Sequence, residues 1–122
     1  MYKRQFHAWT DCDGDVESAL TRDQMLANIS FYWFTGAIGS SFYPYYFRRR
    51  RGWPVSPEAP ATAPTAHAAF PKEMLRPPRS LAEKSFTDIR RWTVFPRGGH
   101  FAAMEQPEAL AADVQAFFRE LR

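Results

Sequence analysis

The sequence predicts an α/β fold in which a parallel βαβα unit follows helices rich in aromatic residues. Two apolar runs, residues 65–70 and 89–95, have the length and composition of buried strands. A short helix is predicted from Ser80, as its N-cap, through residue 84, and an amphipathic helix over residues 107–121. Strand, helix, strand and helix in that order are typical of parallel strands joined by a crossover helix. The apolar stripe predicted for the last helix consists of Leu110, Ala111, Val114, Phe117, Phe118 and Leu121.

The segment before the βαβα unit carries helix signals of its own. Thr21 is a predicted N-cap, and Gln24 three residues later completes a capping box. Apolar residues then recur at helical spacing until Gly36, which is predicted to end or bend the helix. A second aromatic helix is predicted over residues 38–47, in which Pro44 is tolerated only near a kink or in a first turn. The predicted organisation is therefore an N-terminal loop segment 1–20, an aromatic helical segment 21–51, a Pro/Ala-rich loop 52–64 and the βαβα part 65–122.

Composition narrows the classes of partner. The 122 residues are 45% hydrophobic and 16% aromatic, which argues against disorder. The four arginines at 48–51 supply much of the net charge of +3, but no nucleic-acid-binding signature accompanies them. We therefore interpret them as a solvated connector and expect no nucleic-acid partner. A single cysteine, Cys12, fits a cytoplasmic protein, and no apolar run approaches the roughly 20 residues of a membrane span.

Two polar side chains are predicted to meet at the edge of the sheet. Glu73 follows the first strand, and His100 follows the second, immediately after Gly98 and Gly99. Neighbouring parallel strands would let the carboxylate accept a hydrogen bond from the imidazole and raise the basicity of its other nitrogen. The alternative is an unlinked surface glutamate and turn histidine.

The acidic residues at 11–15 suggest calcium binding but do not fit an EF-hand loop. Counting from Asp11, Val16 stands where that loop needs glycine, and Arg22 stands where it needs glutamate. We interpret the segment as an acidic surface loop and assign it no metal.

Three blocks of the sequence, in order, resemble microsomal-type epoxide hydrolases of the α/β-hydrolase superfamily. They are residues 28–41 (NISFYWFTGAIGSS), 70–73 (FPKE) and 97–108 (RGGHFAAMEQPE), and Trp9 with the acidic loop adds to them. The resemblance runs from about residue 6 to the end and implies the C-terminal part of an α/β-hydrolase fold. The arginines at 48–51 depart from it, because the family often carries acidic residues there.

The resemblance also implies roles for individual residues. His100 would activate water, Glu73 would orient His100, and Tyr45 would polarise the epoxide oxygen, with Tyr46 as the fallback. The family needs no cofactor or metal. Its members act on small-molecule epoxides, and the resemblance implies a role in detoxification. Its nucleophilic aspartate lies upstream of residue 6, so the 122-residue chain alone is expected to be inactive. The alternatives are another α/β-hydrolase, esterase or haloalkane dehalogenase-like, and a non-catalytic binding module that uses the aromatic face.

Overall fold

The computed structural model describes residues 2–52 and 55–122. Met1, Trp53 and Pro54, which belong to the predicted segments 1–20 and 52–64, lie outside the described residues. In chain order the elements are α1 (Tyr2–Trp9), α2 (Val16–Ala19), α3 (Arg22–Thr35), α4 (Ile38–Ser41), α5 (Tyr43–Arg51), β1 (Thr65–Ala69), α6 (Arg79–Ala82), β2 (Ile89–Val94), α7 (Ala102–Glu105) and α8 (Pro107–Arg119).

The two strands pair in parallel, as the sequence predicts. Within the described residues β1 and β2 form a two-stranded sheet in which Ala69 lies opposite Val94. The parallel direction continues past the strand ends, where Lys72 and Gly99 form an isolated parallel bridge. The Lys72 N–H donates to the Gly98 carbonyl oxygen over 3.1 Å. This extension places Glu73, which follows Lys72, beside His100, which follows Gly99.

The N-terminal segment is helical, so the prediction of a loop over residues 1–20 is wrong. Helix α1 buries Phe6 to 2% exposure, and Leu20, just after α2, is 1% exposed. The local sequence carries no strong helix signal here. Burial against other segments stabilises these short helices more than helix propensity does, and local pattern does not reveal that burial. Phe6, Val16, Leu20 and Met25 form a small core, against which Ala19, Phe101 and Met104 pack. The N-terminal helices thus support the segment that follows His100.

The predicted capping of α3 is confirmed. Thr21 and Gln24 form a reciprocal capping box, and Gly36 ends the helix in the left-handed conformation at φ 65°. The second aromatic helix is divided into α4 and α5, with Pro44 in the first turn of α5. The arginines at 48–51 form the last turn of α5 rather than a connector, where positive charge interacts favourably with the helix dipole. Most large side chains of this segment are exposed: Leu26, Phe31, Trp33, Phe34, Ile38, Phe42, Tyr43, Tyr45, Tyr46 and Phe47.

Two helix details of the βαβα unit differ from prediction. Ser80 is not an N-cap, because α6 begins at Arg79 and its cap position is Pro78, which makes no side-chain cap bond. The buried side of α8 carries Phe117 and, unexpectedly, Asp113, whereas four residues of the predicted stripe are exposed: Ala111, Val114, Phe118 and Leu121. Helical periodicity identified an apolar face, but it could not show which apolar residues the rest of the chain covers.

Asp113 anchors α8 on the second strand. Its Oδ1 accepts hydrogen bonds of 2.7 Å from Arg91 Nε and from Thr93 Oγ1, two residues that share one face of β2. In the part of the chain described here, none of the helices is long and apolar enough to cross a bilayer.

Candidate active site

Glu73 and His100 are in direct contact. His100 Nδ1 lies 2.9 Å from Glu73 Oε1 and 3.2 Å from Oε2. An ionised carboxylate can only accept hydrogen bonds, so the shared proton sits on Nδ1 and Nε2 becomes the nitrogen that can accept a proton. The imidazole is about one-third exposed. This arrangement can remove a proton from a water molecule on the Nε2 side.

The environment of Glu73 favours its charged form. Partial burial raises the pKa of Glu73, but hydrogen bonds from His100, Met74 N–H and Leu75 N–H, with the charge on His100, outweigh it and leave the pKa below its ordinary value. The Met74 N–H bond to Oε1 is short, at 2.6 Å. A depressed folded-state pKa contributes stability that is present above the unfolded pKa and is lost as pH falls through the folded value. Glu73 therefore remains an acceptor for His100 at neutral pH.

Two glycines allow the turn that carries His100. Gly98 has φ +107°, and a side chain there would bring Cβ to 2.7 Å from Phe70 Cδ1, whose ring stacks on Phe95 at a centroid distance of 4.4 Å. A Cβ on Gly99 would collide with the Trp9 carbonyl oxygen. That same oxygen accepts the His100 N–H over 2.8 Å. Close backbone approach, which only glycine permits, thus fixes the histidine against α1.

Aromatic rings flank the imidazole. The Trp9 ring meets it edge-on at a centroid distance of 5.3 Å, and the Phe101 ring does so at 5.2 Å. These rings limit the directions in which His100 can rotate and shield one side of it from water.

A cavity of about 360 Å³ opens beside His100. Tyr45 of α5 lines it together with His100, so the structure brings these two predicted site residues to one space. Tyr46 is not among the described residues that line the cavity, and the Arg50 guanidinium covers its ring at 4.6 Å. The tyrosine preferred from sequence is therefore the one that faces the cavity. The described lining residues are Gln5, Phe6, Trp9, Asn28, Tyr32, Ile38, Ser41, Phe42, Tyr45, His100 and Phe101.

Sequence reasoning missed several residues around this site. Tyr32 lines the cavity, and Trp9 contacts His100. Asp11 and Glu105 bind backbone N–H groups of the histidine turn. For Glu105 a signal existed, since a glutamate four residues after Phe101 can reach back to its N–H within one helical turn. The partners of Trp9 and Asp11 lie about 90 residues away along the chain, beyond what local pattern reveals.

The comparisons with known proteins agree on one family. The chain is 39% identical over 118 residues to a Stigmatella aurantiaca (strain DW4/3-1) protein provisionally named an epoxide hydrolase. It is 34% identical over 121 residues to Epoxide hydrolase 1 of Oryctolagus cuniculus. The crystal structure of juvenile hormone epoxide hydrolase from the silkworm Bombyx mori matches 95% of this chain with a TM-score of 0.81 and 27% identity. The chain belongs to the epoxide hydrolase family.

The match covers this chain almost completely but its relatives only in part. The aligned regions include 97% and 93% of this chain, but only 26% and 27% of the Stigmatella and Oryctolagus proteins. The match covers 31% of the silkworm enzyme's chain. No protein-family model matches the chain. The predicted fold class, the C-terminal part of an α/β-hydrolase fold, is confirmed, and so is the prediction that the chain corresponds to a portion of an epoxide hydrolase.

Proposed function

We propose that this chain supplies the water-activating part of an epoxide hydrolase site, which converts an epoxide into a vicinal diol. The single observation that carries the proposal is the contact of Glu73 with His100 Nδ1, beside a cavity that Tyr45 also lines. The nucleophile, an aspartate by family resemblance, comes from outside these 122 residues.

The reaction proceeds in two steps. The aspartate carboxylate attacks one epoxide carbon, the C–O bond of the ring breaks, and the alkoxide that forms takes its proton from the Tyr45 hydroxyl that hydrogen-bonds it. The Tyr45 phenolate later recovers, through solvent, the proton that His100 removes from water. An ester now joins the enzyme and the substrate. His100 Nε2 then removes a proton from water, the hydroxide attacks the ester carbonyl, and the diol leaves as the carboxylate is regenerated. Glu73 holds the imidazole in the required tautomer and stabilises its charged form.

A phenol at the cavity favours an epoxide over the other hydrolase substrates. Opening an epoxide produces an alkoxide that needs a hydrogen-bond donor, which a tyrosine hydroxyl provides. A departing halide is a weak base that needs no proton. In serine hydrolases backbone N–H groups commonly hold the oxyanion, and the histidine protonates the leaving group, so neither reaction requires a phenol such as that of Tyr45. The exposed aromatic side chains of α3–α5 are the observation behind the second candidate, a non-catalytic binding module.

A chimeric enzyme tests the proposal. In this chimera the portion of the silkworm juvenile hormone epoxide hydrolase that matches this chain is replaced by the whole chain. We expect it to hydrolyse the silkworm enzyme's substrate. His100→Gln should slow turnover by about 10² to 10⁴, the usual contribution of a general base, and should let the ester accumulate. Mass spectrometry of the quenched protein detects the ester as an increase equal to the mass of the epoxide.

Two controls complete the test. His7→Gln changes an exposed histidine of α1 whose Nε2 contacts only the Gly14 carbonyl among the bonds described, and it should leave turnover unchanged. The 122-residue chain alone should not hydrolyse styrene oxide above background. A folded chimera without activity, or full activity in the His100→Gln chimera, would contradict the proposed function. The cytoplasmic location and the role in detoxification stay predictions.

A further inference from the structure

We infer that Glu105, assisted by Asp11, is a positioning residue that holds the backbone of the histidine turn and so sets the rate of ester hydrolysis. The inference rests on the proposed function and extends it from the imidazole to the peptide groups behind it. Its basis is a network in which two carboxylates and one carbonyl oxygen receive the N–H groups of the turn.

Glu105 uses both carboxylate oxygens on backbone groups. Its Oε1 accepts the Phe101 N–H over 3.0 Å, and its Oε2 accepts the Asp11 N–H over 2.8 Å. The side chain is half-buried at the end of α7. It therefore ties the residue after His100 to the segment that follows α1, with hydrogen bonds strengthened by its charge.

Asp11 and Trp9 complete the network. Asp11 Oδ2 accepts the Gly98 N–H over 2.9 Å, and the Trp9 carbonyl oxygen accepts the His100 N–H over 2.8 Å. The N–H groups of residues 98 and 100 thus donate to acceptors in the N-terminal segment, and the N–H group of residue 101 donates to Glu105. Each bond fixes the main chain of the turn, independently of the Glu73 bond that fixes the ring.

The position of the two carboxylates limits what they can affect. Neither Glu105 nor Asp11 is among the described residues that line the cavity, whereas His100 and Tyr45 are. Substrate binding and the first chemical step, which use the external nucleophile and Tyr45, should therefore be insensitive to Glu105. Water activation should be sensitive, because a displacement of about 1 Å in a reacting group can lower a rate by about 10².

The experiment separates the two chemical steps in the chimera. Rapid-quench mass spectrometry gives the rate of ester formation and, after substrate is removed, the rate of ester hydrolysis. Glu105→Gln places an amide NH₂ against one of the two N–H donors, so we expect ester hydrolysis to slow by about 10- to 100-fold. Ester formation and KM should stay within about twofold. Asp11→Asn, which keeps an acceptor but loses the charge, should slow hydrolysis by about threefold to tenfold.

Controls distinguish the possible outcomes. Glu108→Gln alters an exposed glutamate in the first turn of α8 and should change neither step. In the folded Glu105→Gln chimera, equal slowing of both steps, or unchanged rate constants with a smaller active fraction, identifies a purely structural role and overturns the inference. So does unchanged ester hydrolysis in both variants. If Glu105→Gln does not fold, Asp11→Asn decides by the same criterion. If His100→Gln accumulates no ester, the proposed function itself fails, and this inference fails with it.

Discussion

Substitution of Gly99 by alanine offers the most direct test of how the histidine turn is built. A Cβ at this position would lie well inside 3.0 Å of the Trp9 carbonyl oxygen, a distance that real Cβ atoms essentially never reach. It would also lie 3.1 Å from Thr10 Cα and from Glu105 Oε1. Because two of these three atoms belong to the backbone, a rotamer change cannot relieve the contact.

The cost of Gly99→Ala follows from that geometry. Overpacking typically costs about 1–3 kcal/mol. Separating the turn from α1 also weakens the 2.8 Å bond between the His100 N–H and the Trp9 carbonyl oxygen, which adds about 1 kcal/mol. We therefore expect the free energy of unfolding of the chimera to fall by about 2–4 kcal/mol. The rate of ester hydrolysis should fall at least about tenfold.

Urea unfolding followed by tryptophan fluorescence measures the first effect, and rapid-quench mass spectrometry measures the second. Gly39→Ala is the matched control, because a Cβ on Gly39, within α4, would meet nothing within 4 Å. It should stabilise the protein by at most about 1 kcal/mol, as alanine does in helices. If Gly99→Ala is as stable as Gly39→Ala and hydrolyses the ester at an unchanged rate, close packing of Gly99 against Trp9 does not hold the histidine turn in place.

Three further predictions concern the cavity, the sheet and α8. Tyr45→Phe in the chimera should slow ester formation by about 10- to 100-fold in quench experiments, whereas Tyr46→Phe, whose ring lies under an arginine, should change it less than about twofold. Burial lowers the pKa of His67 in the folded protein. As pH falls below about 6.5, His67 is therefore protonated more readily in the unfolded chain than in the folded one. The free energy of unfolding should therefore decrease between about pH 7 and about pH 5. This decrease should be smaller in His67→Phe, a variant that keeps an aromatic ring stacked on Trp92 but cannot be protonated. Asp113→Ala should lower the free energy of unfolding by about 2–4 kcal/mol in urea titrations, because it removes the buried acceptor of two side chains; a change below about 0.5 kcal/mol would contradict this.

Local sequence determined several features of this protein. The Thr21–Gln24 capping box and the end of α3 at Gly36 depend on residues within a few positions of one another. Such features can be read from the chain because caps, turns and strand composition act over one or two turns of backbone. The order of strands and helices then predicted the parallel pairing, and that pairing predicted the contact between Glu73 and His100.

Tertiary structure alone decided the rest of the site. Asp11 reaches a backbone N–H that lies 87 positions away, and its own N–H reaches Glu105, 94 positions away. Helix α1 packs through Phe6, which forms a buried core with Val16, Leu20 and Met25. No periodicity encodes these contacts, since they exist only once distant segments have packed together and each buried polar group has found a partner.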